Sequence, residues 1–162
     1  MNSEPLPATI AELEMVFGKA SDAGFGSAVF FSPPTDAVSG SLETESKAIY
    51  QTFCGEIWEE FGVENWLANW KVLLERPPGS GGDIVAEIQS IRDPESGSAA
   101  QLLLDAGPDP DRAEATLRAA FNDPGISQLQ IFKIGDGGAM SGVIIAAETS
   151  TKVRYFLIIL LD

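Results

Sequence analysis

Hydrophobic positions are densest at the end of the chain. Residues 153–161 run Val153, Arg154, Tyr155, Phe156, Leu157, Ile158, Ile159, Leu160, Leu161, and all but Arg154 are apolar or aromatic. A helix needs about 20 apolar residues to cross a bilayer, so this run is too short, and its aromatic and β-branched content predicts a strand. Strand side chains alternate between faces. Val153, Tyr155, Leu157, Ile159 and Leu161 therefore point one way, and Phe156, Ile158 and Leu160 the other. Apolar residues on both sides predict a central strand that is covered on both faces. Residues 140–147 share this two-sided pattern, and residues 129–134 make a third strand. The turns are Gly135-Asp136-Gly137-Gly138, whose Asp-Gly and Gly-Gly pairs suit positive φ angles, and Thr149-Ser150-Thr151-Lys152. The expectation is a three-stranded antiparallel meander over 126–162.

Upstream the period changes. Ile49, Phe53, Ile57 and Phe61 recur every four residues, with Tyr50, Cys54 and Trp58 beside them and Glu56, Glu59 and Glu60 opposite. This predicts a helix over 42–61. Gly62-Val63-Glu64-Asn65 breaks it. Trp66, Leu67, Trp70, Leu73 and Leu74 then predict a second helix over 66–75, and the Pro, Gly and Ser residues of 77–82 a flexible connector. Nearer the start, Thr9-Ile10-Ala11-Glu12 fits a capping box. It opens a short helix with Ile10, Leu13 and Phe17 on one side and Gly18 as its stop. Gly24 to Phe31 approaches a short strand that Pro33-Pro34 must end. Residues 83–91 fit a helix through Ile84, Ile88 and Ile91, or a strand through Ile84, Ala86 and Ile88. The strand is preferred, because the turn-rich 92–98 and the apolar 101–104 then complete a second hairpin. Asp109-Pro110 starts a helix whose stripe is Ala113, Leu117, Ala120 and Phe121, and Asn122-Asp123-Pro124-Gly125 ends it.

These elements describe a single domain over 1–162, of α+β class, with an antiparallel sheet of about four to six strands. Helices from the N-terminal half, 42–75, cover one face. The helix at 110–121 is short and relies on alanines, so part of the other face is expected to be bare. A homodimer would bury that face or a sheet edge; alternatively the N-terminal helix at 10–17 folds over it.

Charge narrows the partners. With 24 acidic and 10 basic residues the net charge is −14, which argues against nucleic-acid binding. The charges are scattered rather than run together, so they read first as a solvated surface and otherwise as one that favours a cationic partner through steering. The single cysteine, Cys54, excludes an intrachain disulfide and a cysteine-rich zinc site. No metal or cofactor is expected. The N-terminus lacks the features of a secretory signal and no span suits a membrane helix, so the expected location is cytoplasmic. The glycines at 24 and 26 lack the lysine and hydroxyl of a phosphate loop.

The chain contains no histidine. That removes the commonest general base, the commonest metal ligand and every Ser-His or Cys-His pairing. Chemistry would fall to carboxylates, Lys, Tyr or Arg. Asp136, Glu148, Lys133 and Arg154 lie nearest the expected sheet. Arg154, on an otherwise apolar strand, either pairs with an acid from a covering helix or marks a pocket. Trp58, Trp66, Trp70, Tyr50 and Tyr155 are either core or the walls of an aromatic pocket between helices and sheet. The first functional reading is a non-enzymatic, acidic interaction or regulatory protein with a cationic protein partner. The alternative is a small-ligand-binding protein, or an enzyme working without histidine, that uses the aromatic pocket.

Overall fold

The computed structural model describes residues 6–18, 26–32, 41–77, 82–105, 109–123, 125–135, 140–150 and 152–161. In chain order the elements are α1 (Leu6–Phe17), β1 (Gly26–Ser32), α2 (Leu42–Cys54), α3 (Glu56–Phe61), α4 (Val63–Leu67), β2 (Lys71–Arg76), α5 (Ile84–Gln89), α6 (Pro94–Leu104), α7 (Pro110–Phe121), β3 (Ile126–Gly135), β4 (Ser141–Thr149) and β5 (Arg154–Leu161). Among the described residues no helix is long and apolar enough to cross a membrane.

The strands form one five-stranded sheet in the order β1-β5-β4-β3-β2, with every neighbouring pair antiparallel. The fold is thus α+β, with the C-terminal meander at its centre. β4 and β5 are buried almost end to end, as their two-sided apolar pattern requires. Gly142 permits their close approach: a Cβ there would lie 1.9 Å from the Ile159 carbonyl oxygen. At the second turn the positive φ falls on Lys152, at 71°.

Each face carries its own core. On one, Leu129, Ile131, Val143, Ile145, Tyr155, Leu157 and Ile159 pack against α1, α5, α6 and α7. On the other, Phe132, Ile134, Ile144, Phe156, Ile158 and Leu160 pack against α2, α3 and α4. The face expected to be partly bare is therefore covered within the chain, by the N-terminal helix together with α5, α6 and α7. The bare-face argument for a homodimer loses its premise.

Several local expectations need correction. The helix over 42–61 is broken at Gly55, whose φ of 60° separates α2 from α3. The first helix starts at Leu6 rather than at a Thr9 cap, although Ile10, Leu13 and Phe17 are buried as expected. The helix over 66–75 is replaced by the end of α4 and the strand β2. Its adjacent Leu73 and Leu74 both reach the same core because a register shift between Val72 and Leu74 inserts an extra residue. The hairpin over 83–104 is instead two helices. Asp83 accepts from the Val85 amide and Asp93 from the Ser96 amide, with Pro94 in the first turn. Residues 78–81 of the expected connector and residues 136–139 of the first turn lie outside the described residues.

Candidate functional site

The aromatic residues of the helical half assemble around Tyr50. Its ring meets Trp58 and Trp66 edge-on, at 5.1 and 5.7 Å between centroids, and lies stacked near Trp70 at 6.1 Å. Trp58 and Trp66 are parallel within 3° at 5.8 Å, and Trp70 stacks on Phe132 of β3 at 4.9 Å. α2 supplies Tyr50, the turn at Gly55 redirects the chain so that α3 supplies Trp58, and α4 returns Trp66 above it. Burial of a Tyr or Trp usually requires a partner for its polar tip. Here the Trp66 Nε1 donates to the Trp58 carbonyl at 2.9 Å. The Tyr50 hydroxyl donates to the Trp66 carbonyl at 3.4 Å and accepts from the Gly135 amide at 2.9 Å.

Tyr50, Trp58 and Trp66 are buried, whereas Trp70 is half-buried. Trp70 donates from Nε1 to Glu43 Oε2 at 2.7 Å, and the Lys47 ammonium sits over its ring, 5.4 Å from the centroid. Where the cluster reaches solvent it therefore presents an aromatic ring flanked by one acid and one base, all held by α2 and the approach to β2.

The remaining candidates separate. Tyr155 faces the opposite core, where it rests on Phe121 at 5.5 Å and its hydroxyl donates to the Ala120 carbonyl. Burial holds that hydroxyl well above the usual tyrosine pKa. It is no part of the tryptophan cluster. Arg154, its neighbour in sequence, points to the α2 side and donates through Nε to Glu148 Oε1 and through Nη1 to Glu45 Oε1, each at 2.7 Å. Of the two alternatives for Arg154, pairing with an acid of a covering helix is the one observed. Burial alone would lower its pKa, but the bonds to Glu45 and Glu148 more than offset this and raise it. Asp136 lies outside the described residues.

Two polar constellations escaped the sequence reading. At the end of β2, Arg76 grips Glu87 of α5 through Nε–Oε2 at 2.8 Å and Nη2–Oε1 at 2.5 Å, while Nη1 donates to the Phe121 carbonyl of α7 at 2.7 Å. At its start, Asp93 bridges Lys133 at 2.8 Å and Lys71 at 3.4 Å. Burial works to raise the Asp93 pKa, yet the Lys133 hydrogen bond and its companions hold it at about 2. No local signal pairs Arg76 with Glu87. The cap at Asp93 was legible, because Asp93-Pro94 repeats the Asp109-Pro110 signature.

The nucleophile and metal possibilities are narrow. Desolvation pushes the buried Cys54 thiol up to about 12, so it stays protonated and unreactive near neutral pH. Among the described residues no group of three or more Cys, Asp or Glu side chains could hold a metal ion. Outside the aromatic cluster, Glu56, Glu59, Glu60 and Glu64 of α3 and α4 are exposed, and no Lys or Arg occurs between Lys47 and Lys71. Neither protein-family models, nor curated proteins, nor solved structures give a match to this chain.

Proposed function

We propose that this chain is a non-enzymatic interaction protein whose acidic α3–α4 surface engages a cationic protein partner. The observation that carries the reading is the exposed row Glu56, Glu59, Glu60 and Glu64 in a stretch without Lys or Arg. Several cations elsewhere among the described residues are engaged in ion pairs within the chain. Arg76, Lys133 and Arg154 pair with Glu87, Asp93, and Glu148 with Glu45, and Arg112 and Arg118 pair with Glu12 and Asp83. A field left uncompensated over one surface accelerates encounter with an oppositely charged partner and loses strength in salt. The small-ligand alternative has less support, because Tyr50, Trp58 and Trp66 fill the space between helices and sheet with one another.

A pull-down from cell extract at low and high salt tests this, run beside a variant with Glu56, Glu59, Glu60 and Glu64 replaced by lysine. The expected result is a partner captured by the native chain at low salt, released by high salt and not retained by the variant. A partner held equally under all of these conditions would overturn it.

A further inference from the structure

We propose that β2 is a releasable edge strand, fastened by an ionic clasp at each end, and that its opening is the first excursion of the folded chain and uncovers the outer edge of β3. The two edges of the sheet are built differently. Along β1 the end of α1 closes the edge: the Gly18 carbonyl accepts from the Val29 amide at 3.0 Å and the Phe17 carbonyl from Ser27 Oγ at 2.6 Å. β2, by contrast, pairs among the described strands only with β3, and it does so through a shifted register. Val72 is 42% exposed, and of the six β2 residues only Arg76 is buried.

Two further features weaken β2 relative to the strands beside it. Lys71 and Lys133 lie directly opposite each other, and like charges at cross-strand positions repel. Asp93, from the start of α6, bridges both lysines. In addition, the apolar spacing of residues 66–75 is that of a helix, so local preference opposes the strand. The Arg76 clasp ties β2 to α5 and α7, and the Asp93 clasp ties it to the start of α6 and, through Lys133, to β3. β2 therefore leaves as a unit when they release, while β3, β4 and β5 stay paired.

Native-state hydrogen exchange of the full chain, read by mass spectrometry on peptides, tests this. Amides of 71–76 and their partners in 129–133 are expected to exchange through an opening that leaves 143–147 and 155–160 protected. Asp93→Asn keeps an N-capping side chain for α6 but removes the bridging charge. It should speed exchange of 71–76 roughly ten-fold without changing 155–160. Adding Lys71→Gln, which relieves the repulsion, should return the rate toward native. Exchange of 71–76 only together with 155–160 would overturn the proposal. So would an Asp93→Asn effect that Lys71→Gln leaves unaltered.

Discussion

Replacing Arg76 by methionine tests a buried long-range polar contact of the fold. Arg76 is 7% exposed, and it gives Glu87 a two-pronged hydrogen bond and the last turn of α7 a donor. Arg76→Met leaves the Glu87 carboxylate, whose side chain is 14% exposed, without its cation, and leaves the Phe121 carbonyl without this donor. Breaking a buried pair in this way costs about 3–5 kcal/mol. At about 2–4 °C per kcal/mol for a chain of this length, the melting temperature should fall by about 6–20 °C. The double variant Arg76→Met with Glu87→Leu removes both charges together. Buried pairs replaced by apolar residues of similar volume are often neutral, so only the Phe121 carbonyl is left wanting, at about 1–3 kcal/mol. The double variant should thus be more stable than Arg76→Met alone. Urea unfolding followed by tryptophan fluorescence, together with calorimetry, gives the full double-mutant cycle. A loss under about 1 kcal/mol for Arg76→Met, or a double variant no better than that single one, would refute the reasoning.

Two further outcomes follow from the described contacts. Tyr50→Phe keeps the ring contacts but deprives the buried Gly135 amide of its acceptor; urea unfolding should show a loss of about 1–3 kcal/mol, and an unchanged midpoint would mean that the amide finds another partner. Stability should decline at both pH extremes. Asp93 is held at about 2, below its ordinary 3.8, so its contribution is present above the ordinary value and lost as pH falls through about 2, and Asp93→Asn should flatten that acid limb. Cys54 is raised from 9.0 to about 12, so its contribution is present below 9.0 and lost as pH rises toward 12; Cys54→Ala should reduce the alkaline decline in a pH series of urea midpoints.

How far the sequence reached depends on the range of the forces that set each element. The run 153–161 is apolar on both faces and too short for a membrane, and a strand with two covered faces satisfies that pattern; β5 is such a strand, between β1 and β4. The turn signals read on either side of 140–147 predicted antiparallel neighbours, and β3 and β5 pair with β4 in that sense; an aspartate cap followed by proline opened α7 from local chemistry alone. All of this needs only a residue and its near neighbours. The stretch 66–76 is different. Its tryptophans and leucines keep helical spacing, but β3 offers an unpaired edge, and the backbone hydrogen bonds gained there, with a bulge to turn both Leu73 and Leu74 inward, outweigh local preference. Residues 83–91 were ambiguous in period, and both they and 94–104 form helices that cover a face α7 does not cover alone. The candidate residues followed the same division. Alternation placed Tyr155 and Arg154 on opposite faces of one strand, but only the packed helices brought Ala120 to one and Glu45 to the other. Likewise the sequence contains Arg76, Glu87 and Phe121, while the tertiary fold alone decided that they meet, because their contact spans elements whose order in space is set by sheet pairing and layer packing rather than by neighbouring residues.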